Sequence, residues 1–146
     1  IKSNSQRSKL LLKRVKQILD NKIMNKKICF LGVTFKANTD DMRDSSSLKM
    51  IPYLAKKGAT ISYYDPTGSK KEFNKLKNVY CSSSIDGAIK DSDLVIVHTE
   101  WNDFKSINFK KLDKSKKLKI YDMRNILSAH KIKSLGFKYF GIGRVV

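Results

Sequence analysis

Apolar residues recur along the chain at two different spacings. Near the start, Leu11, Val15, Ile18 and Leu19 follow one another at the intervals that line one helical face, which predicts an amphipathic helix over residues 9–20. After a polar break the pattern contracts into short apolar runs separated by helix-like stretches. "KICFLGV" (27–33) reads as a strand, and "SSSLKMIPYLAKKG" (45–58) as a helix closed by Gly58, with Pro52 placed to kink it. "TISYYD" (60–65) is again a strand, ended by Asp65 and Pro66. The same alternation continues with "KKEFNKL" as helix, "NVYC" as strand, "SIDGAIKD" as helix and "DLVIVHT" as strand. A turn-rich "EWNDF" with a short helix, "LKIYD" as strand, "NILSAHKIKSL" as helix and "KYFGI" as strand complete it.

Strands that alternate with helices need crossovers, and crossovers imply a parallel sheet covered on both faces. The predicted class is α/β, a Rossmann-like doubly wound sheet of about six strands preceded by an amphipathic helix. At 146 residues the chain has the length of one domain. Ligands of such sheets sit beyond the carboxyl ends of the strands. The residues to inspect are therefore 34–43, Asp65, the serines at 82–84, and the stretches 98–101 and 122–125.

The first of these loops lacks a dinucleotide fingerprint. G-x-G-x-x-G uses its glycines to let backbone amides approach a pyrophosphate, whereas here Gly32 is followed by Val33, Thr34 and Phe35. Without that loop, Asp65 reads as a turn residue before Pro66 and not as a ribose partner. The loop carries Phe35, Lys36 and Arg43 instead, with Asp40, Asp41 and Asp44 among them. A lysine holds a phosphate as a point charge and an arginine grips a phosphate or carboxylate with a fork of N–H groups. The same cations could equally pair with the three acids and order the loop. Arg124, just past "LKIYD", is either a further ligand contact at this edge or a surface residue at a helix start. His98 has no nucleophile or metal partner in spacing, Trp101 and Phe104 read as packing residues, Cys29 reads as a small buried hydrophobe in mid-strand, and Cys81 ends a strand without a nearby base. No catalytic residue and no metal ligand is assigned.

Charge changes the picture less than its size suggests. The net charge is +18, but only five of the 31 basic residues are arginine, and the lysines are dispersed along the chain. That distribution fits a solvated lysine-rich surface better than specific nucleic-acid recognition, although a basic nucleic-acid-binding α/β module stays open as an alternative. Two cysteines cannot form a disulfide framework, and no apolar run has the length of a membrane span or a signal sequence; a cytoplasmic protein is expected.

"GVTFKANTDDMRDSSSL", "YYDP", "HTEWNDF", "YDMRN" and "YFGIGR", in that order, together resemble the C-terminal, UDP-binding domain of the UDP-glucose and related nucleotide-sugar 6-dehydrogenases. The resemblance covers nearly the whole chain. "SNSQR" resembles the end of the helix that connects the two domains of those enzymes, which implies that residues 1–25 are connecting helix and linker and 26–146 the UDP-binding domain. By this resemblance Phe35, Lys36 and Arg124 bind the substrate and Arg43 contacts NAD. The cofactor is otherwise held by an N-terminal domain, and the complete enzyme is a homodimer. The implied reaction takes UDP-glucose to UDP-glucuronate in two hydride transfers through a cysteine-bound thioester. Neither the NAD fingerprint nor that cysteine is in this sequence, so the chain reads as a fragment that is inactive by itself. UDP-N-acetylmannosamine or GDP-mannose is the alternative substrate. Ala37 stands where the family has proline and Met123 where it has glycine, and Met123 puts the placing of Arg124 in question.

Overall fold

The computed structural model describes residues 4–115 and 117–142. Helix α1 (Asn4–Ile18) leads into strand β1 (Lys27–Leu31), helix α2 (Ser47–Lys56) and strands β2 (Thr60–Tyr64) and β3 (Val79–Cys81). Helix α3 (Ile85–Ile89), β4 (Leu94–Val97), a 3₁₀ turn (Asn102–Phe104), α4 (Phe109–Leu112), β5 (Lys119–Asp122), α5 (Ala129–Ser134) and β6 (Lys138–Gly141) follow. The strands form one sheet in the order β3-β2-β1-β4-β5-β6, and every pairing is parallel. This is the doubly wound Rossmann-like arrangement that the alternation predicts. The order reverses between β1 and β4, and the carboxyl ends at such a switch point are where doubly wound sheets take their ligands.

Period-two alternation in β1 explains why the sheet is covered on both sides. Ile28 and Phe30 point into one core with Ile61, Tyr63 and Ile96, while Cys29 and Leu31 point into the other with Val95, Val97 and Ile120. Helices α1 and α2 cover the first face. Leu11, Val15 and Ile18 of α1, and Leu19 just after it, are all buried there, each side chain contributing about 1.5–3 kcal/mol through loss of water contact. The helix stops where Asp20 and Asn21 turn into the left-handed region and Asn21 N–H donates back to Lys16 O at 2.7 Å. On the opposite face the short helices are fixed by side-chain caps: Ser84 accepts from Gly87 N–H, Asn108 from Lys111 N–H and Ser128 from Lys131 N–H.

One predicted helix does not form. "KKEFNKL" is a run of turns, because Phe73 and Leu76 are its only apolar anchors and seven residues gain too little to offset helix nucleation. Phe73 is nonetheless buried, edge-on to Tyr63 with ring centroids 5.4 Å apart. Helix α4 is an element that the apolar spacing does not announce. Helix α2 runs through Pro52.

Candidate functional site

Three loops meet at the switch point, following β1, β4 and β5. The first, residues 32–46, begins at Gly32 (φ +79°), whose N–H donates to Tyr64 O at 2.8 Å. It is then stitched down by side chains. Val33 N–H donates to Asp65 Oδ2 at 2.9 Å, and Val33 O accepts from the hydroxyls of Ser45 and Ser47 at 2.6 Å each. Phe35 N–H donates to Asp41 O at 3.0 Å, closing the loop on itself. Asp65 also accepts from Thr67 N–H and hydroxyl at 3.0 and 2.6 Å, so both of its oxygens are occupied within the fold. It is a buried turn residue that anchors the first loop.

His98 is buried at the end of β4, with Nε2 2.8 Å from Ser46 Oγ and Nδ1 3.0 Å from Thr99 Oγ1. Thr99 spends its single hydroxyl proton on Thr34 O at 3.0 Å, so it can only accept from the imidazole. The tautomer follows: Nδ1 carries the proton and Nε2 accepts from Ser46. Burial pushes the His98 pKa down to about 3, helped by the charge of Arg124, and the ring is neutral at physiological pH. His98 therefore clamps the first loop, the start of α2 and the end of β4 together.

Arg124 lies across the same three loops. Its Nε donates to His98 O at 2.9 Å and its Nη2 to Phe35 O at 3.2 Å, which leaves guanidinium N–H groups free of these two carbonyls. Buried Asp122 fixes its backbone, accepting from Arg124 N–H at 3.2 Å while also holding Leu127 N–H at 2.8 Å and the Tyr139 hydroxyl at 2.9 Å. Met123 packs against the core of the α1 face. Loss of water lowers the Arg124 pKa, with the nearby charge of Arg7 acting in the same direction.

Phe35 and Arg124, 89 positions apart in sequence, are thus joined directly, and Lys36 stands exposed beside them. Phe35 itself is 41% exposed, unusual for an aromatic ring and suited to a contact surface. Arg43 is not part of this group. Its fork closes on Asp41 with Nε and Nη2 at 3.1 and 3.0 Å, its side chain is 89% exposed, and the pair holds the Asp41 carboxyl below the usual carboxylate range. Cation pairing within the loop is realised for Arg43.

Trp101 and Phe104 are buried in the second core, as packing residues. Cys29 is buried with its thiol pushed up to about 12 by loss of water, and Cys81 is exposed at the far edge strand. The clamp formed by Thr34, Ser46, His98 and Thr99 is legible in the sequence only as four polar residues near strand ends. Arg7 and Arg14 also escape a reading by apolar pattern, although their spacing of seven places them on one face of α1.

Fold and site together define a Rossmann-like ligand-binding domain whose first loop presents side-chain cations in place of a glycine cradle. The chain belongs to the UDP-glucose/GDP-mannose dehydrogenase family: the model of that family's UDP binding domain matches residues 29–129. It is 36% identical to a UDP-glucose 6-dehydrogenase of Rickettsia bellii and 35% identical to one of Rickettsia conorii, in each case over 98% of this chain and 34% of the relative. The chain spans about a third of the length of these curated relatives. Among solved structures, an NDP-N-acetyl-D-galactosaminuronic acid dehydrogenase from Methanosarcina mazei superposes with a TM-score of 0.76 at 23% identity, covering 95% of this chain and 29% of that one, a likeness of fold. No helix of the described residues is long and apolar enough to cross a membrane.

Proposed function

We propose that this chain is the UDP-sugar-binding domain of an NAD-dependent UDP-glucose 6-dehydrogenase, an enzyme that oxidises the C6 alcohol of UDP-glucose to the carboxylate of UDP-glucuronate. The observation that carries the reading is the meeting of the Phe35–Lys36 loop with Arg124 at the switch point of the sheet, in a chain of this family. Lys36 supplies a point charge and Arg124 a fork for the diphosphate, and the exposed Phe35 ring offers an apolar contact.

NAD does not fit this chain's own first loop. A side chain's worth of space is missing at Gly32, and both oxygens of the buried Asp65 are already engaged within the fold. In this reading the dinucleotide is held mainly by a second domain, with residues 1–25 as the connection to it, and Arg43 reaches the cofactor from its exposed position. The full-length protein is a cytoplasmic homodimer. UDP-N-acetylmannosamine or GDP-mannose would meet the same cations, and the base and sugar contacts would discriminate them.

Titration by NMR or calorimetry at physiological salt tests the site. UDP and UDP-glucose are expected to bind saturably, and Lys36→Ala and Arg124→Ala to weaken binding by roughly 10-fold each, the scale of one charge-assisted hydrogen bond. Equal binding of ATP, or of any polyanion, with no response to either substitution would mean that only the +18 field is being read. A second expectation concerns turnover. The chain alone should give no NADH absorbance with UDP-glucose and NAD, since Cys29 is buried as a neutral thiol and, among the described residues, exposed Cys81 is partnered by Ser82 O and the Tyr63 hydroxyl, neither of them a base. Steady NADH production by the purified chain would refute the division of labour between domains.

A further inference from the structure

A cavity of ≈ 690 Å³ lies between α1 and the carboxyl ends of β5 and β6. Its walls carry three of the chain's five arginines, Arg7 and Arg14 from α1 and Arg124 from beyond β5, over an apolar floor that includes Leu11, Met123 and Ile142. No aspartate or glutamate lines it. Glu100 acts on Arg124 from outside the cavity, and no described carboxylate forms an ion pair with any of the three guanidinium groups. Like charges facing one space without a counter-charge cost free energy, and that cost is recovered when an anion enters.

Two further features favour a particular kind of anion. Arg14 is held in place by the ring of Phe140, with its guanidinium carbon 5.4 Å from the ring centroid, so its fork is ordered before any ligand arrives. Arginine forks match the oxygens of phosphate, and the volume lies in the range of small-molecule sites. The apolar floor adds room for a planar or hydrocarbon portion. We propose that this cavity binds a phosphorylated small molecule, with its phosphate oxygens held between Arg7, Arg14 and Arg124 and its less polar part on Leu11, Met123 and Ile142. Arg7 and Arg14 belong to no part of the Phe35–Lys36 site. Arg124 stands between the two and is shared, so an occupant of the cavity and a ligand at Lys36 would compete for one guanidinium.

Titration of the chain with inorganic pyrophosphate tests the cavity without presuming a nucleotide. Arg7→Gln and Arg14→Gln are each expected to weaken pyrophosphate binding by roughly 10-fold, and Arg7→Lys to restore only part of the loss, because the charge returns without the fork. Lys49→Gln, an exposed cation on α2 outside the cavity, is expected to change nothing. Arg7 is exposed, so its variants keep the fold even if Arg14→Gln loses packing against Phe140. Unchanged binding in Arg7→Gln overturns the proposal, as does an equal loss in Lys49→Gln. A UDP titration separates this inference from the function proposed above. UDP weakened by Lys36→Ala, together with pyrophosphate binding untouched by Arg7→Gln, overturns the cavity site and leaves the substrate reading standing. Pyrophosphate weakened by Arg7→Gln, with no preference for UDP over ATP, supports the cavity and overturns the substrate reading.

Discussion

Gly32→Ala is expected to destabilise the domain by about 3 kcal/mol, the sum of an unfavourable left-handed backbone and an overpacked contact. The residue has φ +79°, and a Cβ built there would stand 2.5 Å from Thr99 Cβ and 2.7 Å from Thr99 Oγ1. Neither atom can retreat cheaply. Thr99 is fully buried, its hydroxyl bonded to Thr34 O and to the His98 ring, with Phe104 behind the same point. The single glycine of the first loop therefore serves the approach of β1 to the end of β4 and not the approach of a pyrophosphate. Gly68 is the control, with φ +89° and nothing within 4 Å of an added Cβ. Gly68→Ala should cost only the backbone part, about 1 kcal/mol. Urea unfolding of both variants separates the two contributions, and equal losses would show that the contact with Thr99 is not tight. Displacement of Thr99 also loosens the clamp on the first loop, so UDP binding should weaken in Gly32→Ala and stay unchanged in Gly68→Ala.

Acidification is expected to remove stability at roughly 1.4 kcal/mol per pH unit through His98 alone, over the window between the ordinary histidine value and its folded value of about 3. The sign follows from proton counts. Below about pH 6.5 the unfolded chain protonates this histidine, while the folded chain, with the ring buried among Ser46, Thr99 and Phe30 and facing the Arg124 charge, does not. The unfolded state then binds more protons and acid favours it; the contribution is fully present above pH 6.5 and declines as pH falls. Asp41, whose pKa is lowered by Arg43, also loses its contribution on acidification. It does so equally in a His98→Gln variant. Urea midpoints at pH 7, 6, 5 and 4 should therefore fall more steeply in the wild type than in His98→Gln. Parallel profiles would refute a neutral buried imidazole and, with it, the assigned tautomer. The clamp needs that tautomer, because a protonated ring has no acceptor for the Ser46 hydroxyl.

Much of the fold is legible in the chain's local pattern. The six strands are short runs whose central members lie between two covered faces, and burial from both sides demands continuous apolar character. The stripe of α1 is equally plain, since a helix packed on one side must repeat its apolar residues at the helical period. Where packing takes only one or two side chains from a segment, the pattern is mute. That is why "KKEFNKL" suggests a helix and forms turns around Phe73, and why the four residues of α4 pass unannounced.

The candidate site divides along the same line. Phe35, Lys36, Arg43 and Arg124 stand out in the sequence because cations and an exposed aromatic fall just beyond predicted strands, at positions that resemble a family's motifs. By itself the sequence determines that these residues lie at strand ends, that no glycine cradle is present, and that the class is doubly wound α/β. Only the tertiary structure decides which strand ends are neighbours. The order β1-β4-β5 brings Arg124 to the carbonyls of Phe35 and His98, leaves Arg43 to its own loop partner, and sets Arg7 and Arg14 of α1 across a cavity from Arg124. The physical reason is that these contacts join residues tens of positions apart. Local spacing records which way a side chain faces within its own element, whereas strand order is set by how all the buried surfaces are satisfied together.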